Sequence, residues 1–287
     1  MTRSIEFIEV GPRDGLQNEK ILISTEAKLE LVRRSIAKKV PQMADAEAVC
    51  AGLPLDQRVT YIGLVMNQRG ADRALATGRI DQLGAVSVAS DGLAISNQGQ
   101  TSDESVETAK AIIAAAKAAG RSGQATIAAA FGCPFDGEVA EDRVVEIALR
   151  LAEAGPAEIA LADTIGVADP AHVSRLVARV RQAINPIPVR VHFHNTRNTG
   201  LANVWAAVEA GASAVDAALG GIGGCPFAPG AAGNVPSEDV VYMLERAGVV
   251  TGMDLAGMIE ASHWLAAEMG RKLPGMVAQA PLFPKAG

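Results

Sequence analysis

Val10-Gly-Pro-Arg-Asp-Gly-Leu-Gln-Asn-Glu19 follows the apolar run Ile5–Val10, and Val191-His-Phe-His-Asn195 closes a second such run, Val189–His194. Each segment sits where a strand would hand over to a loop. His192 and His194 are two residues apart, a spacing that on a strand sends both imidazoles to the same face. An acid and two histidines delivered to one point can hold a divalent metal, and histidine is the commonest metal ligand. The competing reading is a pair of solvated or packed histidines.

Outward from these segments, short β-type runs alternate with longer helical ones, the pattern of a parallel α/β fold. The strand candidates are Ile5–Val10, Val59–Val65, Ala85–Ser90, Ala125–Phe131, Glu158–Ala162, Val189–His194 and Ala214–Leu219. Helical stretches lie at Thr25–Lys38, Glu104–Ala119, Val139–Ala154, Pro170–Ile184, Leu201–Ala210 and Ser237–Arg246. Asp103 is placed to cap one helix and Pro170 to open another, while Gly155 and Gly211 end two more. At 287 residues the chain suits a single domain, residues 1–287, folded as an eight-stranded TIM (β/α)8 barrel with parallel strands.

Seven strands are one short of a closed ring. After the helix ending near Lys39 the chain runs straight into Val40-Pro-Gln-Met-Ala-Asp45, with no apolar β run before the helical turn at Ala46–Ala51. A parallel sheet must return from each helix to a new strand. Either strand two is absent from the fold, or a strand and its loop, about 12 to 16 residues at typical lengths, are missing from this sequence. The second reading is preferred, because losing a barrel strand exposes two sheet edges. The tail Leu273–Gly287 reads as irregular.

A net charge of −6 argues against nucleic acid or an anionic membrane as main partner. No apolar run reaches transmembrane length, and the amino terminus lacks a secretory layout. Three widely spaced cysteines, Cys50, Cys133 and Cys225, suit free thiols in a reducing cytoplasm.

In such a barrel the active site lies at the carboxyl ends of the strands. Arg13 and Asp14 follow the first strand, His192 and His194 end the strand before last, and Gly220-Gly-Ile-Gly-Gly-Cys225 through Asn234 follows the last one. In a closed ring the last strand lies beside the first, so the three loops share one sector. Asp14, His192, His194 and the amide oxygen of Asn234 make a mixed N/O set without thiolate, suited to Mg2+ or Mn2+, although Zn2+ or Co2+ could bind. Asp14 could instead be a turn residue before Gly15, and Asn234 a helix cap before Ser237. Cys225 lies in a glycine-rich loop bent for close approach to a ligand or for motion, and its thiol could give a proton. A small buried residue is the reading for Cys50 and Cys133.

The segments Val10–Glu19, Phe131-Gly-Cys-Pro-Phe135, Leu161-Ala-Asp-Thr-Ile-Gly-Val167, the His-x-His pair with Leu201-Ala-Asn203, and the Cys225 loop together resemble the 3-hydroxy-3-methylglutaryl-coenzyme A lyase family of metal-dependent barrel lyases, over nearly the whole length. That resemblance implies a metal-assisted retro-Claisen cleavage of a 3-hydroxyacyl-CoA to acetyl-CoA and a keto acid. It implies that Arg13 stabilises the enolate, Cys225 protonates it, Asp163 positions His192 or a proton relay, and Gln17 lies near the substrate. Asn97 and Lys20 are further candidate contacts for the substrate. Expected partners are the acyl-CoA and further copies of the chain.

Three departures from the family pattern stand out: the absent second-strand segment, where the family carries another acid; Asn195 and Arg197 in place of Asp and Tyr; and Asp91 in place of Glu. An amide for a carboxylate beside the metal, with an added cation, implies a subgroup acting on a different 3-hydroxyacyl-CoA. Alternatives are a related metal-dependent aldolase or condensing enzyme acting on a 2-oxo acid, and a catalytically silent acyl-CoA-binding barrel.

Overall fold

A computed structural model describes residues 3–17, 19, 21–35, 45–55, 59–224, 233–281 and 283. In chain order the strands are β1 (Arg3–Ser4), β2 (Glu6–Glu9), β3 (Ile62–Val65), β4 (Gln82–Val88), β5 (Ser122–Ala128), β6 (Ile159–Asp163), β7 (Val189–Phe193), β8 (Ala214–Ala217) and β9 (Val249–Val250). The helices are α1 (Thr25–Ser35), α2 (Ala46–Gly52), α3 (Gln68–Ala76), α4 (Asp91–Gln98), α5 (Ser102–Ala118), α6 (Glu141–Ala152), α7 (Pro170–Ala183), α8 (Gly200–Glu209), α9 (Ser237–Arg246) and α10 (Leu255–Glu268).

Seven strands pair in parallel in the order β2-β8-β7-β6-β5-β4-β3, and β1 pairs with β9 beside the amino end of β2. The sheet curls, because Ile8 on one terminal strand and Ile62 and Leu64 on the other line the same cavity. Among the described residues no strand joins β2 to β3, the place where the second strand of a ring would stand. The expected segment Val40–Ala44 lies outside the described residues.

Helices pack on the outer face through apolar stripes at helical spacing: Val106, Ala109, Ile112, Ile113 and Ala116 on α5, and Val144, Ile147, Ala148 and Leu151 on α6, are fully buried. Each buried Val, Leu or Ile contributes about 1.5–3 kcal/mol of transfer free energy. A second apolar cluster, with Leu16, Leu31, Leu219, Ile222, Val241 and Leu265, lies under the loops that follow β2 and β8 and gives them a rigid base.

Several expectations need correction. Thr101, not Asp103, caps α5, through a reciprocal capping box with Glu104, while Asp103 pairs with Arg143 and Arg150. β4 and β5 begin three residues earlier than expected, at Gln82 and Ser122, where the two first residues pair across the sheet: Gln82 Nε2 donates to Ser122 Oγ at 3.0 Å. β5 ends before Phe131 because the Ala129 amide donates to Thr164 Oγ1 at 2.9 Å and Ala129 takes φ +55°. Helices α3, α4 and α10 add to the expected elements; α10 buries Met258, Ile259, Ala261, Ser262 and Leu265. Pro170 does open α7, with Asp169 as its cap, and Gly155 and Gly211 take positive φ. Cys50 and Cys133 are both buried.

Candidate metal centre and catalytic cavity

Asp14 sits in a tight turn, Gly11–Gly15, that begins directly after β2. Glu9, buried at the end of β2, sets this turn: its carboxylate accepts from Gly11 N at 2.7 Å, Leu219 N at 2.9 Å and Ser237 Oγ at 2.5 Å. One side chain thus ties the β2 loop to the β8 loop and to the start of α9. Gly11 is required here, since a Cβ would fall 2.5 Å from Glu9 Oε1. Burial pushes the Glu9 carboxyl up to about 8, against the lowering effect of its three donors.

His192 and His194 leave the same face of β7, as strand alternation requires. Asp14 Oδ2 lies 3.7 Å from His192 Nε2 and 3.4 Å from His194 Nε2. Asp14, His192 and His194 can each offer a ligand atom within 4.8 Å of the others, and so form a group able to hold a metal ion. Burial works to raise the Asp14 carboxyl, but the Arg13 guanidinium, which forms an ion pair with it, and the two histidines outweigh burial and hold it well below the usual carboxylate range. An ionised carboxylate is what a metal ligand must be.

Asn234 follows the glycine-rich loop and bridges to His194 as an isolated antiparallel pair. Its Nδ2 donates to Ile222 O at 3.3 Å, and its buried Oδ1 has no hydrogen-bond partner among the described residues. A buried amide oxygen without a donor among the described residues, on a residue bridged to His194, suits a divalent cation that also takes one carboxylate and two imidazoles. Asn234 does not cap α9, whose cap position is Pro236.

Asp14, His192 and His194 face a cavity of about 410 Å3 lined also by Arg13, Gln17, Asn97, Arg190 and Gly224. Gln17, in the turn after β2, and Asn97, near the end of α4, thus stand on its wall. Cys225 and Lys20 lie outside the described residues; Gly224, the neighbour of Cys225, reaches the cavity. Asp163 is buried at the end of β6, and its carboxylate accepts from Val167 N at 2.9 Å and Ala168 N at 3.0 Å. Burial raises its pKa, and these two amides partly offset the rise. It holds the loop after β6.

The residue on His192 is instead Asp216, whose Oδ2 lies 3.1 Å from His192 Nδ1. Asp216 in turn pairs with Arg190, a buried cation also paired with Glu158. Sequence reasoning passed over all three, although Arg190 shares the inner face of β7 with the two histidines. Burial disfavours charge on His192, but the hydrogen bond to Asp216 and the charge of Asp14 outweigh it and raise its pKa.

Asn195 and Arg197 do not line the cavity. Asn195 Oδ1 accepts from Gly200 N at 3.0 Å, and Arg197 Nη1 donates to Ile165 O at 3.2 Å and Gly166 O at 2.9 Å. Both brace loops, so the exchange of an amide and a cation into this run acts on the scaffold and not on the acyl group directly. Asp91 likewise accepts from Ser102 N at 2.7 Å.

The HMGL-like family model matches residues 4–265. The (R)-citramalyl-CoA lyase of Chloroflexus aurantiacus is 41% identical over 98% of this chain and 96% of its own length. That alignment runs over 307 positions, 20 more than the 287 residues here, so the relative carries residues with no counterpart in this chain. The hydroxymethylglutaryl-CoA lyase of Bacillus subtilis is 36% identical over 95% of each chain. The structure of an HMG-CoA lyase from Acinetobacter baumannii, in complex with coenzyme A and 3-methylmalate, superposes with a TM-score of 0.92 at 35% identity, covering 100% of this chain and 97% of that one. With its fold, its Asp14-His192-His194 cluster and these full-length relatives, the chain belongs to the HMGL-like family of carbon–carbon lyases.

Proposed function

We propose that this protein is a divalent-metal-dependent lyase that cleaves a 3-hydroxyacyl-CoA of the hydroxymethylglutaryl or citramalyl type into acetyl-CoA and a keto acid. The observation that carries this reading is the convergence of Asp14, His192 and His194 on a cavity wall beside Arg13, with Asn234, bridged to His194 and with a buried Oδ1 unpartnered among the described residues, as the fourth candidate. A divalent ion held by these four residues supplies Lewis acidity toward the substrate hydroxyl, and Mg2+ or Mn2+ suits the donor set.

The chain's own groups divide the remaining work. Arg13 presents a fixed guanidinium to the cavity, where it stabilises the negative oxygen of the thioester enolate left when the C2–C3 bond breaks. His192, held at Nδ1, keeps Nε2 toward the cavity. Gln17 and Asn97 offer hydrogen bonds to the acyl portion. Cys225, one residue in sequence beyond the cavity-lining Gly224, is the proton donor to the enolate carbon, and Asp163 steadies the loop after β6.

The test is incubation with 3-hydroxy-3-methylglutaryl-CoA and citramalyl-CoA in separate assays, with Mn2+ or Mg2+, read for acetyl-CoA and for acetoacetate or pyruvate. We expect cleavage of at least one, abolished by EDTA and restored by metal. Arg13→Gln lowers kcat by about 10²–10³ with little change in KM, because the enolate charge exists only along the reaction path. That no strand joins β2 to β3 among the described residues favours one second reading, a barrel that binds metal and thioester without turnover. Tight binding of Mn2+ and both thioesters with no acetyl-CoA released from either would establish that reading and overturn the first.

A further inference from the structure

Arg190, His192 and His194 alternate along β7 and share its inner face, with Arg190 one layer below the histidines. A permanent cation at this depth is costly unless it is paired with opposite charge and held by hydrogen bonds. Nη1 donates to Asp216 Oδ2 at 2.5 Å, Nε lies 2.8 Å from Glu158 Oε1, and Nη2 donates to Gln124 Oε1 and Thr126 Oγ1. Two strands, β5 and β8, together with Glu158 just ahead of β6, converge on this one guanidinium.

Asp216 is the cross-strand partner of His192 in the β7–β8 register. The same oxygen, Oδ2, that receives Arg190 also meets His192 Nδ1 at 3.1 Å, while Oδ1 is buried without a partner among the described residues. Beside a fixed guanidinium, Asp216 is an anion, and an ionised carboxylate can only accept. His192 Nδ1 must then carry the proton. In the neutral ring the lone pair falls on Nε2, the nitrogen 3.7 Å from Asp14.

We propose that Asp216, fixed by Arg190, is a positioning residue that locks His192 in its Nδ1–H tautomer and aims the Nε2 lone pair at the Asp14-His194 cluster. This rests on the metal-site reading above for its purpose, whereas the tautomer is a property of the metal-free protein. A second carbonyl or carboxylate on the far nitrogen of a ligating histidine typically sustains metal affinity by 10–100-fold.

The chain has four histidines, so histidine-15N-labelled protein gives only four rings in a long-range 1H–15N correlation spectrum. At mildly alkaline pH, without metal, His192 is expected as a single Nδ1–H tautomer. Asp216→Asn keeps the shape but offers a weaker, reversible amide; it should mix the two tautomers and weaken Mn2+ binding by about 10–100-fold. An Nε2–H tautomer in the wild type overturns the proposal. So does an Asp216→Asn protein that keeps both the single tautomer and the Mn2+ affinity. If near-UV circular dichroism shows that Asp216→Asn is unfolded, Arg190→Lys takes its place, keeping a charge but losing the fork; mixed tautomers support the proposal and an unchanged spectrum overturns it. A wild type that binds no Mn2+ yet shows the locked tautomer, released by Asp216→Asn, refutes the metal reading and leaves the positioning role standing.

Discussion

At the scale of single residues, burial governs Glu9. Its carboxyl is pushed from an ordinary 4.5 up to about 8, so between these values the folded protein binds a proton that the unfolded chain has released. Its contribution to stability is therefore fully present below about pH 4.5 and is lost as the pH rises through about 8. Glu9→Gln removes the titration while keeping an acceptor for Gly11 N and Leu219 N. The melting temperature of the wild type should fall by several degrees between pH 6 and pH 9, and that of Glu9→Gln should fall less. Glu238, also raised by burial, contributes with the same sign in both proteins, so the comparison isolates Glu9. Parallel curves for the two proteins would mean that Glu9 is charged in the fold at neutral pH and acts only as a hydrogen-bond acceptor.

At the scale of elements, the turn from β8 toward α9 decides whether Asn234 reaches the cluster. Gly223 takes φ +113°, and a Cβ there would stand 3.0 Å from Asp14 O and 3.1 Å from Asn234 Nδ2. Gly223→Ala therefore strains the backbone and presses on two proposed ligands at once, where a residue forced into left-handed space costs about 1–2 kcal/mol. Mn2+ affinity should drop by about tenfold, the equivalent of about 1.4 kcal/mol. Gly99→Ala is the matched control, with φ +68° and open space around the added carbon. It should cost stability of similar size in a melting curve and leave Mn2+ titrations unchanged. Equal affinities in the two variants would remove this turn from the metal site.

At the scale of the whole molecule, the sheet curls far enough for β2 and β3 to face one cavity, yet no described strand joins them. Unpaired strand edges and an opened core lower stability and invite association. An insertion of about 12–16 residues between Lys39 and Ala46, a strand of alternating small apolar residues with a short loop, should close the ring. We expect a melting temperature several degrees higher and weaker binding of a hydrophobic dye than in the chain as it stands. No gain in melting temperature would show that the seven-stranded sheet is self-sufficient.

The sequence by itself determined the alternation of strands and helices and the meeting of Asp14, His192 and His194. Period-two spacing puts both histidines on one face, and ring closure makes the loops after β2, β7 and β8 neighbours, so local pattern and topology are enough. The same parity was available for Arg190, two residues before His192, and for Asn195, one residue after His194 and therefore turned off that face. Only tertiary structure decided that Asp216 holds His192, that Arg190 meets Gln124 across 66 residues of sequence, and that Asp163 spends its carboxylate on Val167 and Ala168. Those pairings follow from the register between neighbouring strands and from which carboxylate lies nearest a buried cation. Periodicity along one strand sets the side a residue faces; the partner it finds there is set by distances between strands, which no local pattern contains.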